Sequence, residues 1–436
     1  MDPSGRTATA IAASLERGLC APSAAAGQSL PTVRQLAATL GVSPTTVAAA
    51  YKLLRARGLV TGHGRQGTRG AFRHTTAASG ATIAVPAGIR DLATGNPDEA
   101  LLPPLDPALR SIQSDARRYG VGPDRADLVA FASSEFEADG IPAGATAVLS
   151  GGLDAVERVL REHLRAGDRV AVEDPSFARI VDLLKVSGYE PVPFAMDEEG
   201  PVPGGMHAAL SRGCQAIIVT PRAQNPTGAA LSRARAEELR QMLRRFPQVV
   251  LIENDYAGPV AGAPLHTLCD PSREYWIAVR SLSKFLGPEV RVAVVAGDEV
   301  TIARVRGRQA LGARGVSPIL QQLALALWAD PACGRRIAKA GEAYTERRTT
   351  TIAALGEHGI TALGRSGFNV WMPVRDEASV VRGLAERGWA VAAGGRFRIR
   401  AGPGIRITIS TLSIEDAARL AGDLARLCGP ASGGLA

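Results

Sequence analysis

The stretch "SLSKFLGP", residues 281–288, sets one amine, Lys284, beside the hydroxyls of Ser281 and Ser283, with Arg291 seven residues further on. The chain holds 50 Lys and Arg residues, yet its only lysines are Lys52, Lys185, Lys284 and Lys339. A surface cation can be either residue type. A Schiff base needs a primary amine that can lose its proton, which the always-charged guanidinium cannot supply. Four further stretches carry chemistry that matches. "LSGGLDAV" puts Ser150, Gly151 and Gly152 at a strand-to-helix turn, where backbone N–H groups and the helix dipole attract an anion. "VEDPSF" ends on Phe177, a face for a flat ring, and "TPRAQNPTG" offers the amide of Asn225 to a phenolic oxygen. "LIENDY" brings Glu253, Asn254, Asp255 and Tyr256 to one point in the chain, and Arg291 suits a phosphate. Assembled, these groups would suit a phosphorylated aromatic aldehyde.

Such a site needs a scaffold that gathers residues spread over 140 positions, and the intervening pattern supplies one. Apolar strand-like runs alternate with amphipathic helical stretches: "TAVLS" then "DAVERVLREHLRAG", "RVAVED" then "FARIVDLLKVSG", "AIIVT" then "SRARAEELRQMLRRF", followed by "VVLIEND" and "WIAVRSLSK". This alternation predicts βαβ units and a parallel sheet with ligands at the carboxyl ends of its strands, where each of these motifs falls. At 436 residues the chain has room for about two to four folding units. Its 46% hydrophobic and 21% charged content is that of a soluble globular protein. The five cysteines (Cys20, Cys214, Cys269, Cys333, Cys428) form no C-x-x-C pair, which argues against a disulfide framework or a zinc site and for a reducing cytoplasm. The N-terminus has no apolar leader region, and no run approaches the roughly 18 apolar residues of a membrane span.

Charge is concentrated at one end. Residues 1–73 hold nine bases against Asp2 and Glu16, a net of +7 within the chain's +8, as expected of a module that binds phosphates. Within it, Thr32 and Gln35 form a capping box ahead of the apolar face Val33, Leu36, Ala37 and Leu40, and Gly41 stops that helix. Ser43 caps a second helix with Pro44 in its first position and Val47, Ala50, Tyr51 and Leu54 pointing inward until Gly58. Two helices so joined are a helix-turn-helix, whose second helix enters the major groove N-terminus first and presents Thr45 and Thr46. "LVTGHGRQGTRGAFR" then reads as two short strands around the basic tip Arg65-Gln66-Gly67-Thr68, a wing.

Residues 5–73, through "LPTVRQLAATLGVS", "TVAAAYKLLRARGLV" and "GRQGT", resemble the winged-helix domain of the GntR transcription factors. The resemblance implies contacts to double-stranded DNA from Arg34, Thr45, Thr46, Arg65 and Gly67. Pro44 stands where many members carry a basic or polar residue, so the base preference does not carry over. Residues 74–89, small and polar without periodicity, read as a linker. Residues 90–428 are similar to the class I/II aminotransferases, fold-type I enzymes of pyridoxal 5′-phosphate (PLP). That likeness implies an α/β fold with a central, mostly parallel sheet and a smaller C-terminal α+β subdomain. It implies a Schiff base between Lys284 and PLP, a phosphate held by Gly151, Gly152, Ser281 and Arg291 beside Ser283, a ring stacked on Phe177, and a phenolic oxygen bound by Asn225 and Tyr256. Tyr119 in "RRYGVGP" matches a tyrosine that reaches the phosphate of the neighbouring subunit, implying a homodimer. Arg406 in "GIRITISTL" matches the arginine that grips a substrate carboxylate, with Arg179 as a second candidate.

A GntR winged helix fused to an aminotransferase-like domain is the architecture of the MocR regulators, and "DLATGNPDEALLPPL" and "GFNVWMPV" lean to their PtsJ-like branch, linked to vitamin B6 metabolism. The expected function is a cytoplasmic transcriptional regulator that senses PLP or an amino compound, with turnover weak or absent. One departure bears on this. The family run after the strand is Glu-Asp-Asp, its first aspartate pairing with the pyridinium nitrogen, whereas here it is Glu253-Asn254-Asp255. Either Asp255 takes over with a one-residue shift or Asn254 faces a mostly neutral ring nitrogen and the electron sink is weakened. The competing function is a working aminotransferase with an accessory N-terminal domain, which leaves the basic module unexplained.

Overall fold

The computed structural model describes residues 3–19, 29–56, 60–62, 68–70, 83, 85–113, 120 and 122–428. The chain forms two compact units, one built on its N-terminal 81 residues and the other on most of the remainder. In the first, helices α1 (Ala8–Leu19), α2 (Val33–Leu40) and α3 (Pro44–Ala56) enclose a core of Ile11, Leu15, Leu36, Val47, Tyr51 and Leu54. The capping box is formed: Thr32 Oγ1 accepts the Gln35 N–H, and Gln35 Oε1 accepts the Thr32 N–H at 3.0 Å. Gly41, at φ 63°, closes α2 in the left-handed conformation that glycine adopts without penalty. Strands β1 (Val60–Gly62) and β2 (Thr68–Gly70) pair antiparallel, Thr61 opposite Arg69, as the wing predicts, and the tip between them lies outside the described residues. Replacing Thr32 with Ala should cost this unit about 1 kcal/mol. A lower urea midpoint for its unfolding checks this, and an unmoved midpoint would mean that the box adds no net stability.

The second unit is built on an eight-stranded sheet in the order β4-β11-β10-β9-β8-β5-β6-β7, with β3 set apart in a smaller sheet. The strands are β3 (Arg90–Leu92), β4 (Ala145–Leu149), β5 (Arg169–Asp174), β6 (Glu190–Asp197), β7 (Gly200–Pro201), β8 (Ala216–Val219), β9 (Val250–Asp255), β10 (Trp276–Ser281) and β11 (Ala293–Gly297). β5, β8, β9 and β10 run parallel, and every residue of β9 and β10 is buried, as expected of strands covered on both faces. β11 instead runs antiparallel to both β10 and β4. The loop 282–292 between β10 and β11 carries Lys284 and Arg291 and is shorter than the crossover of a dozen or more residues that a parallel neighbour requires. The expected mostly parallel sheet is thus present, with β11, one strand in from the edge, reversed between β10 and β4.

The smaller sheet has the order β12-β14-β13-β3, where β12 is Asn369–Pro373, β13 Trp389–Ala393 and β14 Gly404–Thr408. Its edge strand β3 comes from the beginning of the unit and pairs parallel with β13, Asp91 opposite Ala390. Among the described residues no helix is long and apolar enough to cross a membrane.

Candidate functional site

The polar ends of β5, β8, β9 and β10 open on a cavity of about 420 Å3, within the usual range for small-molecule sites. Gly152, Phe177, Arg179 and Asn225 line it, as do Asn254, Tyr256, Ser281 and Ser283, together with Lys284, Arg291 and Arg406. Residues from both sheets therefore meet in one place. Gly151 lies just behind the wall. Tyr119 lies outside the described residues.

Lys284 leaves the end of β10 and projects between the two sheets. Its Nζ donates to the Gly95 carbonyl at 2.8 Å and stands 5.7 Å from the centre of the Phe368 ring. Burial, and then the charge of Arg406, lower its pKa to about 8. An amine so placed is far closer to its reactive neutral form at pH 7 than an ordinary lysine.

The anion end is built on helix α4 (Gly152–His163), whose first residue lines the cavity. Gly151 precedes it at φ +124°, and a Cβ there would come within 3.1 Å of Arg291 Nη2, so glycine suits both the backbone and the approaching guanidinium. Arg291 itself is held at φ 49°, a conformation that non-glycine residues adopt at a cost. Ser281 lies beside Gly152, its Cβ 3.6 Å from where a Gly152 Cβ would stand, and Ser283 Oγ is buried without a hydrogen-bond partner among the described residues.

At the far wall the alternation of β9 separates Asn254 from its two acidic neighbours. Asn254 lines the cavity, and its Oδ1 is buried without a partner among the described residues. Asp255 faces the other side. Its Oδ1 accepts Arg222 Nε at 3.0 Å and the Gly258 N–H at 3.1 Å, while its Oδ2 accepts Arg222 Nη2 at 2.8 Å and Arg280 Nε at 3.1 Å. Burial alone would raise the pKa of this carboxyl, but the Arg222 and Arg280 guanidiniums overcome it and hold it at about 2. The expectation that Asp255 could serve as a cofactor ligand is thereby corrected: its oxygens are engaged by two arginines behind the strand.

Arg406 enters from β14. Its Nη2 donates to the Ala93 carbonyl, its Nη1 to Asn225 Oδ1 at 3.1 Å, and its guanidinium lies 4.8 Å from the Phe397 ring centre. Burial lowers it to about 10, and its Nε is without a partner among the described residues. Tyr256 donates to the Ala223 carbonyl at 2.5 Å, and burial raises its pKa. Arg179 is exposed on the cavity wall.

Sequence reasoning passed over three contributors. Glu173, at the end of β5, accepts the Thr220 N–H at 2.6 Å, Thr220 Oγ1 at 3.1 Å and Gln224 Nε2 at 2.9 Å, and burial raises it to about 7. Its place in "VEDPSF" was the available signal, but that motif was used only for Phe177. Phe368 and the carbonyl of Gly95 carry no chemical signal in the sequence. In the first unit, Arg34 and Thr45 are exposed, and the Ser43 hydroxyl bonds those of Thr45 at 2.7 Å and Thr46 at 2.8 Å. Arg65 and Gly67 lie outside the described residues.

Three polar side-chain atoms without a partner among the described residues, a helix start, an arginine for phosphate and an activated amine in one cavity fit the groups of PLP. Comparisons with known proteins agree. The family "Aminotransferase class I and II" matches residues 125–424, and "Bacterial regulatory proteins, gntR family" matches residues 7–69. The chain is 37% identical over 428 residues to the vitamin B6 salvage pathway transcriptional repressor PtsJ of Salmonella typhimurium, covering 96% of this chain and 98% of the relative. It is 26% identical over 395 residues to the pyridoxine biosynthesis transcriptional regulator PdxR of Corynebacterium glutamicum, covering 86% and 84% of the two chains. The solved structure of LysN, an α-aminoadipate aminotransferase of Thermus thermophilus, shares the fold at a TM-score of 0.68 and 24% identity, covering 78% of this chain and 92% of that one. The chain belongs to the MocR-type transcriptional regulators, which join a gntR-family DNA-binding domain to a class I and II aminotransferase domain whose cofactor is pyridoxal 5′-phosphate.

Proposed function

We propose that the large domain uses PLP held on Lys284 as a signal, and that its occupancy sets the affinity of the winged helix for operator DNA near genes of vitamin B6 supply. Gly151, Gly152, Ser281 and Arg291 would hold the phosphate, Phe177 the ring face, Asn225 and Tyr256 the phenolic oxygen, and Asn254 the ring nitrogen. Arg406, with Arg179 at the wall, would take the carboxylate of an amino compound. When bound, the cofactor supplies an electron sink for charge developing on an attached amine, to the degree that its ring nitrogen is protonated. The observation that carries the reading is the pairing of Asn254 inside the cavity with Asp255 committed to Arg222 and Arg280 outside it. An amide orients the ring without holding a proton on its nitrogen by charge, so the site favours binding over turnover. The Salmonella relative, a repressor of vitamin B6 salvage, supports the choice of regulated genes.

We further propose that the protein works in the cytoplasm as a homodimer. Two winged helices per dimer imply two half-sites in the operator. Titrating PLP into a mixture of the protein and its own upstream DNA tests the proposal, with a change in DNA affinity expected; PLP that binds and leaves that affinity unchanged would refute it. DNA binding should weaken steeply with salt, because each neutralised phosphate releases counterions. Arg65→Ala should weaken binding to all sequences and flatten the slope of log K against log salt by about 0.9, one phosphate contact. An unaltered slope would remove Arg65 from the interface.

A further inference from the structure

The bend after β3 engages two cations of the cavity through its backbone. Lys284 Nζ donates to the Gly95 carbonyl at 2.8 Å, and Arg406 Nη2 donates to the Ala93 carbonyl. Gly95 has φ +72°, and a Cβ there would lie 3.2 Å from Arg406 Nη2, so a glycine is what lets the bend sit this close. Inside the bend, Asp91 Oδ1 accepts the N–H groups of Ala93 and Thr94 at 2.8 and 2.9 Å. Beyond it the chain is anchored, with Ser410 Oγ donating to the Asn96 carbonyl at 2.7 Å and the Asp98 N–H donating to the Tyr344 hydroxyl at 2.9 Å. Before it comes β3, three residues paired with β13, and β3 is the first strand after residues 74–89, which join the two units.

We propose that Ala93–Gly95 is a latch: a ligand that takes the amine of Lys284, or the guanidinium of Arg406, releases the bend and loosens β3, to which the linker of the winged helix is joined. The proposal rests on the reading of the cavity as a PLP site. Condensation of a neutral primary amine with an aldehyde forms a C=N bond and expels the carbonyl oxygen as water, together with both amine hydrogens. The ammonium proton has already gone to solvent. The N–H groups that held Gly95 are thereby consumed. A carboxylate bound to Arg406 competes with the weaker, neutral carbonyl of Ala93. A three-residue edge strand belongs to the least stable part of a fold, so these losses act there before they reach the buried strands β9 and β10.

Hydrogen exchange read by mass spectrometry on the full-length protein, with and without PLP, tests the latch. Exchange across residues 90–95 should quicken by about tenfold or more as PLP attaches, while residues 250–255 stay protected and DNA affinity changes in step. Lys284→Met removes the donor, so residues 90–95 should exchange quickly with or without PLP. Asp91→Ala removes the acceptor of the Ala93 and Thr94 N–H groups, leaves every cavity side chain in place and should quicken exchange in the bend while PLP still binds, which keeps the test open if Lys284→Met fails to fold. The latch is overturned if PLP attaches, shown by absorbance, and alters DNA affinity while residues 90–95 exchange as before, or if Lys284→Met is as protected as the wild type. If PLP does not bind at all, the reading of the cavity falls together with the latch.

Discussion

Lys284→Arg is expected to abolish covalent attachment of PLP: the protein loses its yellow absorbance, and borohydride no longer fixes the cofactor to the chain. Arginine keeps the charge and much of the reach but has no amine able to condense with an aldehyde. The pH dependence gives a second signature. Only the neutral amine reacts, and burial together with Arg406 lowers Lys284 to about 8. The attachment rate should therefore rise about tenfold between pH 6 and pH 7 and level off above about 8, whereas an ordinary lysine would keep accelerating towards about 10.4. Equal yellow colour in Lys284→Arg, with the adduct on Lys185 or another amine, would make the assignment wrong. A rate still climbing at pH 10 would mean that the amine is neither buried nor near Arg406 in solution.

Lys284 was legible because the composition around it is so poor in lysine that chemistry was the simplest reason to keep one. The helix-turn-helix was legible for a different reason. Its signals are local: Thr32 and Gln35 are three residues apart, and Gly41 and Pro44 sit where a helix must end and begin. Helix α1 is absent from the sequence reading although Ile11 and Leu15 are spaced by one turn and both are buried. What the sequence withheld is non-local. That β3 joins the C-terminal sheet depends on pairing Asp91 with Ala390, some 300 residues away, and no local pattern encodes it. The Gly95 carbonyl that meets Lys284 has no side chain to announce it. Period-two alternation along a strand sets Asn254 and Asp255 on opposite faces of β9, although the sequence reading left both as candidates. It could not say which face holds the cavity. That is decided by Arg280 on the neighbouring strand, in register with Asp255, and by Arg222 from the loop after β8.

These same arginines set the second large effect. Asp255→Asn would leave Arg222 and Arg280, whose side chains are only 7% and 2% exposed, with Asp139 as their remaining carboxylate partner among the described residues, a half-exposed group that stands 3.8 Å from Arg222. Breaking a buried pair from one side costs about 3–5 kcal/mol, so this variant should lower the urea midpoint sharply or fail to fold. Acid should act in the same direction: because the carboxyl titrates at about 2 in the folded chain, below its ordinary value of 3.8, the stability it contributes is present above pH 4 and is lost as pH falls through about 2. Asn254→Asp should behave differently, because the new carboxylate faces the cavity. Placed against the ring nitrogen it would hold a proton there by charge, and conversion of bound PLP to pyridoxamine phosphate by an added amino acid should accelerate by at least about tenfold, a barrier lowered by about 1.4 kcal/mol. Lys284, once released, is already placed to carry the proton, so an electronic defect is the one this substitution repairs. Suppose instead that Asp255 were the ring partner. Asn254→Asp would then leave the conversion rate unchanged, and a folded Asp255→Asn would lose whatever turnover the wild type has. That pair of results would return the site to the catalysts and leave its regulatory role to be explained by something other than a muted ring.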